Sequence, residues 1–180
     1  ISGRPSRGSR RESRAATTIE RAPRAQVYCH PAALQTRYAI QDGKAQSIGM
    51  PRRPLHALRG QSPERVRWVL GPARLTKEIG LTGPIPRVTD YEDTGGPFFT
   101  DPAGRLPDAL DDELALWLRT ARGLVVILGC GHAGLINTLT RALALNAGAR
   151  LHAVLGGFHM GGADANRLAQ AAAALGALDP

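Results

Sequence analysis

Cysteines, aromatic residues and long apolar runs are all scarce in this 180-residue chain. The two cysteines, Cys29 and Cys130, have no metal-binding spacing, which excludes a cysteine-rich zinc motif and indicates reduced thiols. No apolar run approaches the roughly 20 residues of a membrane span, and the first residues lack the apolar centre of a signal peptide. We therefore expect a cytoplasmic chain without a membrane partner. With only 4% aromatic residues, its core must consist mainly of Leu, Val, Ala and Ile.

Positive charge is concentrated at the start of the chain. The formal net charge is +8, and residues 1–24 alone carry seven arginines against two glutamates, which leaves only +3 for the other 156 residues. A segment this rich in Arg, Ser and Gly cannot bury enough apolar surface to fold. We predict a disordered basic tail over residues 1–19, and an out-of-frame translation would also account for its composition. The charge of the remainder is ordinary, so we expect no specific nucleic-acid partner.

Two apolar runs near the end of the chain predict neighbouring parallel strands. Residues 124–128 and 151–155 are continuously hydrophobic, and residues 135–145 between them have the periodicity of a helix. A strand–helix–strand unit of this length places its two strands side by side and parallel. The carboxyl ends of both strands then lie at one edge of the sheet, where sites in open α/β sheets are found.

Each of these strands ends in a glycine-framed histidine. His132 follows the first strand and His159 follows the second, with glycines on both sides of the first and before the second. Because neighbouring strands lie about 5 Å apart, we expect the two imidazoles to lie within about 10 Å in one cleft. Neutral imidazole is a good ligand for zinc, iron and manganese. The pair therefore predicts a metal centre with His132 and His159 as ligands.

The same turn also fits a dinucleotide-binding module. Gly129, Gly131 and Gly134 form a Gly-x-Gly-x-x-Gly pattern between a strand and a helix. That fingerprint requires an acidic residue at the end of the second strand, where this chain has Gly156, Gly157, a phenylalanine and a histidine. The dinucleotide reading is therefore an alternative to the metal centre.

The two histidine blocks resemble those of metallo-β-lactamase-fold metal-dependent hydrolases, in the branch of the dihydropterin-linked ribofuranosylaminobenzene phosphate synthases. The matching segments are residues 123–138, 152–159, 83–87, 91–92, 111–116 and 27–31. The resemblance implies an α/β fold of the αββα sandwich type. It also implies a hydrolase or transferase in which metal-activated water is the nucleophile, with His132 and His159 among the metal ligands. The implied metal is a divalent ion, for which zinc is the first candidate and iron and manganese are alternatives. The implied partner is a small, anionic substrate.

Two motifs of that family are not found in the printed sequence. They are the His-x-His-x-Asp-His motif, expected before residue 20, and a closing block like His-Cys-Thr-Gly, expected after residue 180. We therefore interpret residues 20–180 as an incomplete metallo-β-lactamase-like domain that holds metal weakly and is inactive or impaired. The alternative is a non-catalytic remnant or binding protein. Arg87 and Glu92 are minor candidates for contact with an anionic substrate.

Elsewhere the pattern gives less specific predictions. Cys130 is interpreted as a small buried residue, and His30, His56 and His152 are not expected to bind metal. The predicted elements are a strand at 25–28, a helical turn at 31–38, a loop or irregular hairpin at 42–60, a short helix at 64–70, a strand at 75–79, an exposed loop at 91–101, a strand or turn at 112–118 and a helix at 163–175.

Overall fold

The computed structural model describes residues 19, 21–22 and 24–180, which form ten strands, one 3₁₀ helix and three α-helices. The strands are β1 (Val27–Cys29), β2 (Tyr38–Gln41), β3 (Lys44–Ser47), β4 (Val66–Trp68), β5 (Ala73–Arg74), β6 (Ile79–Leu81), β7 (Phe98–Phe99), β8 (Leu116–Thr120), β9 (Gly123–Ile127) and β10 (Leu151–Leu155). The helices are the 3₁₀ helix Pro31–Leu34, α1 (Arg52–Arg59), α2 (Leu135–Ala144) and α3 (Ala165–Leu178).

The predicted basic tail falls almost wholly on residues 1–18, which lie outside the described residues, so that prediction stays untested. Its last residue, Ile19, is described, and the Ile19 carbonyl accepts a hydrogen bond from Arg65 Nη2 at 2.6 Å. None of the helices in the described part of the chain has the length and hydropathy that a transmembrane span requires.

The main sheet has five strands in the order β10-β9-β8-β6-β5. The β9 and β10 strands pair in parallel across the α2 crossover, which confirms the predicted strand–helix–strand unit. The β8 and β9 strands form an antiparallel hairpin, so the 112–118 segment does contribute a strand to the sheet. The parallel pairing brings the carboxyl ends of β9 and β10 together, and the site is located there.

One face of this sheet carries the hydrophobic core. Leu124 and Val126 on β9 and Trp117 on β8 are buried, and they form one cluster with Leu139 and Ala142 of α2. Each fully buried leucine contributes about 1.5–3 kcal/mol relative to an exposed one. Because side chains alternate along a strand, the neighbouring residues lie on the opposite face. These are half-buried apolar side chains, namely Leu116, Leu118, Val125 and Ile127.

A second sheet has three strands in the order β3-β2-β7. Arg37, just before β2, donates to Asp108 Oδ2 at 2.6 Å and to both carboxylate oxygens of Asp112 at 2.7 and 2.8 Å. This bidentate pairing ties the second sheet to the segment before β8. These two sheets, a two-stranded sheet of β1 and β4, and the helices give the α/β sandwich-type architecture that the sequence predicted.

Two local predictions were wrong, and a third was confirmed only in part. The 64–70 segment is a turn and then strand β4, parallel to β1, because Arg65 N–H donates to the Ser62 carbonyl and the turn ends there. The segment predicted as a loop or irregular hairpin at 42–60 does begin with a hairpin, because β3 pairs with β2 in antiparallel, but residues 52–59 form α1. Pro54 is tolerated there because the first helical turn has no intrahelical use for its N–H. Residues 75–78 are a turn between β5 and β6 rather than a strand.

Candidate functional site

His132 and His159 lie side by side beyond the carboxyl ends of β9 and β10. Their ring centroids are 4.1 Å apart with an angle of 46° between the ring planes. This confirms the predicted proximity within about 10 Å, whereas the role of the two residues as metal ligands stays a prediction. The edge-on ring of Phe98, from β7 of the second sheet, lies 5.1 Å from the His132 ring and 6.0 Å from the His159 ring.

Two successive backbone carbonyls hold the imidazoles. His132 Nδ1 lies 2.8 Å from the Thr94 carbonyl oxygen, and His159 Nε2 lies 3.1 Å from the Gly95 carbonyl oxygen. A carbonyl can only accept a hydrogen bond, so each of these nitrogens must carry the proton. In the neutral rings the lone pairs then lie on His132 Nε2 and on His159 Nδ1. Hydrogen bonds of this kind orient histidine ligands and make them more basic.

Gly95 allows the chain to pass directly against the His159 ring. A Cβ at this position would stand 2.2 Å from His159 Cδ2, and the backbone φ of Gly95 is +76°. Both the space and the left-handed conformation therefore require glycine. The exposed loop predicted at 91–101 is thus partly buried, and it supplies the carbonyl groups of the site.

Glu113 fixes the turn that carries His132. Its Oε1 accepts from Gly131 N–H at 2.6 Å, and its Oε2 accepts from Ala133 N–H. The carboxylate therefore bonds the residues on both sides of the histidine. Sequence reasoning missed this role; the only signal was a run of three acidic residues ahead of β8.

Glu92 has a structural role at the start of α2, and its role as a contact for an anionic substrate stays a prediction. Its buried carboxylate accepts from Ile136 N–H and from Asn137 N–H, both at 2.9 Å, at the start of α2. Arg87 donates to the Ala109 carbonyl at 2.7 Å. Both side chains thus have structural partners within the protein.

These contacts argue against the dinucleotide-binding alternative. A pyrophosphate would need the N–H groups of the glycine turn and of the helix start. The turn that includes Gly129, Gly131 and Gly134 has two N–H groups that already donate to the Glu113 carboxylate. Two N–H groups at the start of α2 already donate to the Glu92 carboxylate. A bound phosphate would have to displace two negative charges.

The other three histidines lie in other elements, and Cys130 differs from its predicted burial. His30 caps the 3₁₀ helix, where its Nδ1 accepts from Ala32 N–H at 3.2 Å. His56 lies in the last turn of α1, and His152 lies at the start of β10. Cys130 is exposed rather than buried as predicted. Within the described ranges, no three His, Cys, Asp or Glu side chains are grouped so that they could hold a metal ion.

The two imidazoles have opposite pKa shifts. A hydrogen bond with the Cys130 side chain, assisted by the bond to the Thr94 carbonyl, raises the pKa of His132 against the opposing effect of burial. Burial, and then the neighbouring charge of His132, lowers the pKa of His159. A proton that enters the pair is therefore held on His132.

We expect His132 and His159 to titrate on opposite sides of the ordinary histidine pKa of about 6.5. His132 binds its proton more tightly in the folded chain, so its contribution to stability is complete below about pH 6.5 and is lost as the pH rises through its raised pKa. His159 binds its proton less tightly, so its contribution is complete above about pH 6.5 and is lost as the pH falls through its lowered pKa. A proton NMR titration checks the order. A higher midpoint for His159 would contradict it.

Comparison with solved structures finds a clear relative. The crystal structure of Tm1679, a metal-dependent hydrolase of the beta-lactamase superfamily, superposes with a TM-score of 0.69 and 26% sequence identity. The match covers 85% of this chain and 56% of that chain. No protein-family model matches the sequence.

Two curated proteins of Methanocaldococcus jannaschii are also similar. The 7,8-dihydropterin-6-methyl-4-(beta-D-ribofuranosyl)-aminobenzene-5'-phosphate synthase is 30% identical over 115 residues, which are 61% of this chain and 39% of the relative. The uncharacterized protein MJ0448 is 33% identical over 97 residues, which are 54% of this chain and 35% of the relative. The chain thus spans less than half the length of these curated relatives. On the strength of the fold and these matches, the described part of the chain has a metallo-β-lactamase fold. Its sequence is similar to the branch that includes the dihydropterin-linked synthase.

Proposed function

We propose that His132 and His159 are two ligands of a divalent metal in a hydrolase or transferase of the metallo-β-lactamase superfamily. The observation that supports this most is the pair of rings 4.1 Å apart, each with one N–H bonded to a backbone carbonyl. Such a pair presents two nitrogen lone pairs in a fixed orientation, which suits zinc, iron or manganese. The metal-dependent hydrolase Tm1679 has the same fold.

The residues around the pair would prepare it for this role. The Thr94 and Gly95 carbonyls hold the tautomers, while the Phe98 ring makes an edge contact with both imidazoles. A bound divalent cation would supply the remaining chemistry, because it makes water available as a nucleophile near pH 7.

The proposed partner is a small molecule, with no specific nucleic acid and no membrane. A cavity of about 360 Å³ lies next to the site, between residues 90–93 and residues 162–167. Its size is within the range of small-molecule pockets. Four carboxyl side chains and one guanidinium line it, which does not favour an anion there. An anionic substrate therefore stays a prediction from the sequence.

Ligand number sets the expected affinity. Catalytic zinc sites usually have three protein ligands, and within the described ranges no third side chain joins the two histidines. We propose that this chain alone holds metal weakly and has impaired activity, and that longer relatives complete the site with further ligands. The same observation supports a second candidate, a non-catalytic binding protein. The test is hydrolysis of a generic phosphodiester by this chain. If the hydrolysis requires both added zinc and His132, the chain is an enzyme and not a non-catalytic binding protein.

Removing either histidine should weaken zinc binding by at least about tenfold, since each supplies half of the nitrogen ligands. The measurement is a zinc titration of His132→Ala and His159→Ala followed by competition with a chromophoric chelator. His56→Ala is the matched control, because His56 lies on α1 and not in the turns that carry the pair, and it should bind zinc as the wild type does. The wild-type chain should lose its zinc on dialysis.

Two results would contradict the proposal. One is an unchanged zinc affinity in both site variants. The other is stoichiometric zinc retained by the wild-type chain after dialysis, which would mean that a further ligand such as Cys130 had been wrongly left out.

A further inference from the structure

The peptide group between Thr94 and Gly95 is bonded on both sides. Its carbonyl accepts from His132 Nδ1–H at 2.8 Å, and its N–H donates to Asp93 Oδ1 at 2.7 Å. In a trans peptide these two groups point in opposite directions. Asp93 therefore fixes the plane of the peptide whose oxygen holds His132.

Arg167 holds Asp93 in place from a different element. Its Nη1 donates to the same oxygen, Asp93 Oδ1. The Arg167 backbone is fixed in turn, because its N–H donates at 2.7 Å to Asp164, the N-cap of α3. A continuous series of hydrogen bonds thus runs from the first turn of α3, through Asp93 and one peptide group, to His132.

The burial of Arg167 is unusual for a residue with only a structural role. Its side chain is 5% exposed, whereas that of Asp93 is 74% exposed. Two of its buried nitrogens, Nε and Nη2, have no hydrogen-bond acceptor among the described residues. Burying a guanidinium with incomplete pairing opposes folding. The ion pair of Nη1 with Asp93 offsets part of this cost and fixes the guanidinium beside the loop.

The electrostatic effect on His132 follows from the direction of these bonds. A carboxylate that accepts from the peptide N–H polarises the peptide and makes its carbonyl a stronger acceptor. The stronger acceptor favours the proton on His132 Nδ1. In free histidine the neutral ring prefers the proton on Nε2, so the protein must impose the opposite tautomer to leave the Nε2 lone pair for a ligand.

We propose that Asp93 and Arg167 are positioning residues that orient the Thr94–Gly95 peptide and thereby hold His132 in its Nδ1–H tautomer. The use of Nε2 as a ligand nitrogen rests on the proposed metal function. The tautomer itself does not, because it belongs to the metal-free chain.

The test is the tautomer of His132, read from its imidazole ¹⁵N shifts in the metal-free chain at a pH where the ring is neutral. The wild type should show the proton on Nδ1. In Asp93→Ala and in Arg167→Gln, the Nε2–H form should become at least as populated as the Nδ1–H form. Asp93→Asn should preserve the wild-type tautomer, because its amide oxygen still accepts from Gly95 N–H. Zinc affinity should fall about 10- to 100-fold in the first two variants.

Two controls make the test specific. Arg150→Gln removes a guanidinium whose pairing with Asp179 is exposed, and it should leave the tautomer unchanged. Cys130→Ala removes the thiol that also bonds His132, and the Nδ1–H form should remain dominant. If Asp93→Ala is unfolded by circular dichroism, Arg167→Gln carries the test.

The proposal is overturned if the folded Asp93→Ala and Arg167→Gln chains keep the Nδ1–H tautomer, or if Cys130→Ala alone abolishes it. If the wild type and all variants show the expected tautomers but the wild type binds no zinc, the metal function is contradicted instead. The two failures are therefore distinguishable.

Discussion

Replacing Glu92 with alanine is expected to lower the free energy of unfolding by about 3 kcal/mol, one of the two largest effects of any single substitution considered. The buried carboxylate bonds two N–H groups at the start of α2 and also accepts from Thr89 Oγ1 at 3.2 Å. Losing an N-cap costs about 0.5–2 kcal/mol, and buried donors left without their charged acceptor add to that cost. Urea denaturation at constant pH measures the change.

The matched control is Glu78→Ala. Glu78 is exposed, and its carboxylate makes a long contact, 3.5 Å, with Thr76 Oγ1. We expect a change within about 0.5 kcal/mol for this variant. An equally small loss in Glu92→Ala would show that α2 does not depend on its buried cap.

Replacing Gly156 with alanine is expected to cost about 4 kcal/mol and to separate the two histidines. The added Cβ would stand 2.2 Å from the Leu128 carbonyl oxygen, which is backbone and cannot rotate away, and Gly156 has a φ of +129°. Backbone strain of this kind costs about 1–3 kcal/mol. The ends of β9 and β10 would also move apart, which weakens the bonds from Leu128 N–H to Leu155 and from Gly157 N–H to Gly129 at about 1 kcal/mol each.

Gly148→Ala separates the effect of the clash from that of the φ angle. Gly148 has a φ of +79°, but no atom lies within 4 Å of an added Cβ. This variant should lose only the strain term, about 1–2 kcal/mol, and should keep the nuclear Overhauser contacts between the His132 and His159 rings. Retention of those contacts in Gly156→Ala would show that the strand ends adapt without moving the site.

The strand–helix–strand unit was predictable because its signals are local. Two continuous apolar runs and a helical period determine β9, α2 and β10, and the parallel pairing then determines that His132 and His159 meet. The groups that hold the histidines gave no such signal. Every residue has a carbonyl, so nothing in the sequence distinguishes those of Thr94 and Gly95, which lie 38 and 64 residues from the histidines that they bind.

Pro63 led to one wrong element, and the structural role of Glu92 gave no signal in the sequence. Pro63 suggested the start of a helix, yet it belongs to a turn before β4, where Val66 and Trp68 favour a strand. Glu92 was only a minor candidate for a substrate contact, and nothing in the sequence indicated that it is buried at the start of α2. Pairing over long sequence distances overrode the local preference at Pro63, and it also determines the surroundings of Glu92.

Four consecutive residues of the 92–95 segment each serve a different partner. Glu92 bonds α2, Asp93 bonds α3, Thr94 bonds the first histidine and Gly95 bonds the second. An insertion or deletion here would shift at least one of these residues away from its partner. Related sequences could therefore exchange residue types elsewhere in this loop during evolution, but they could not change the length of the 92–95 segment. Any transplantation of the site into another scaffold would have to copy this segment as a whole.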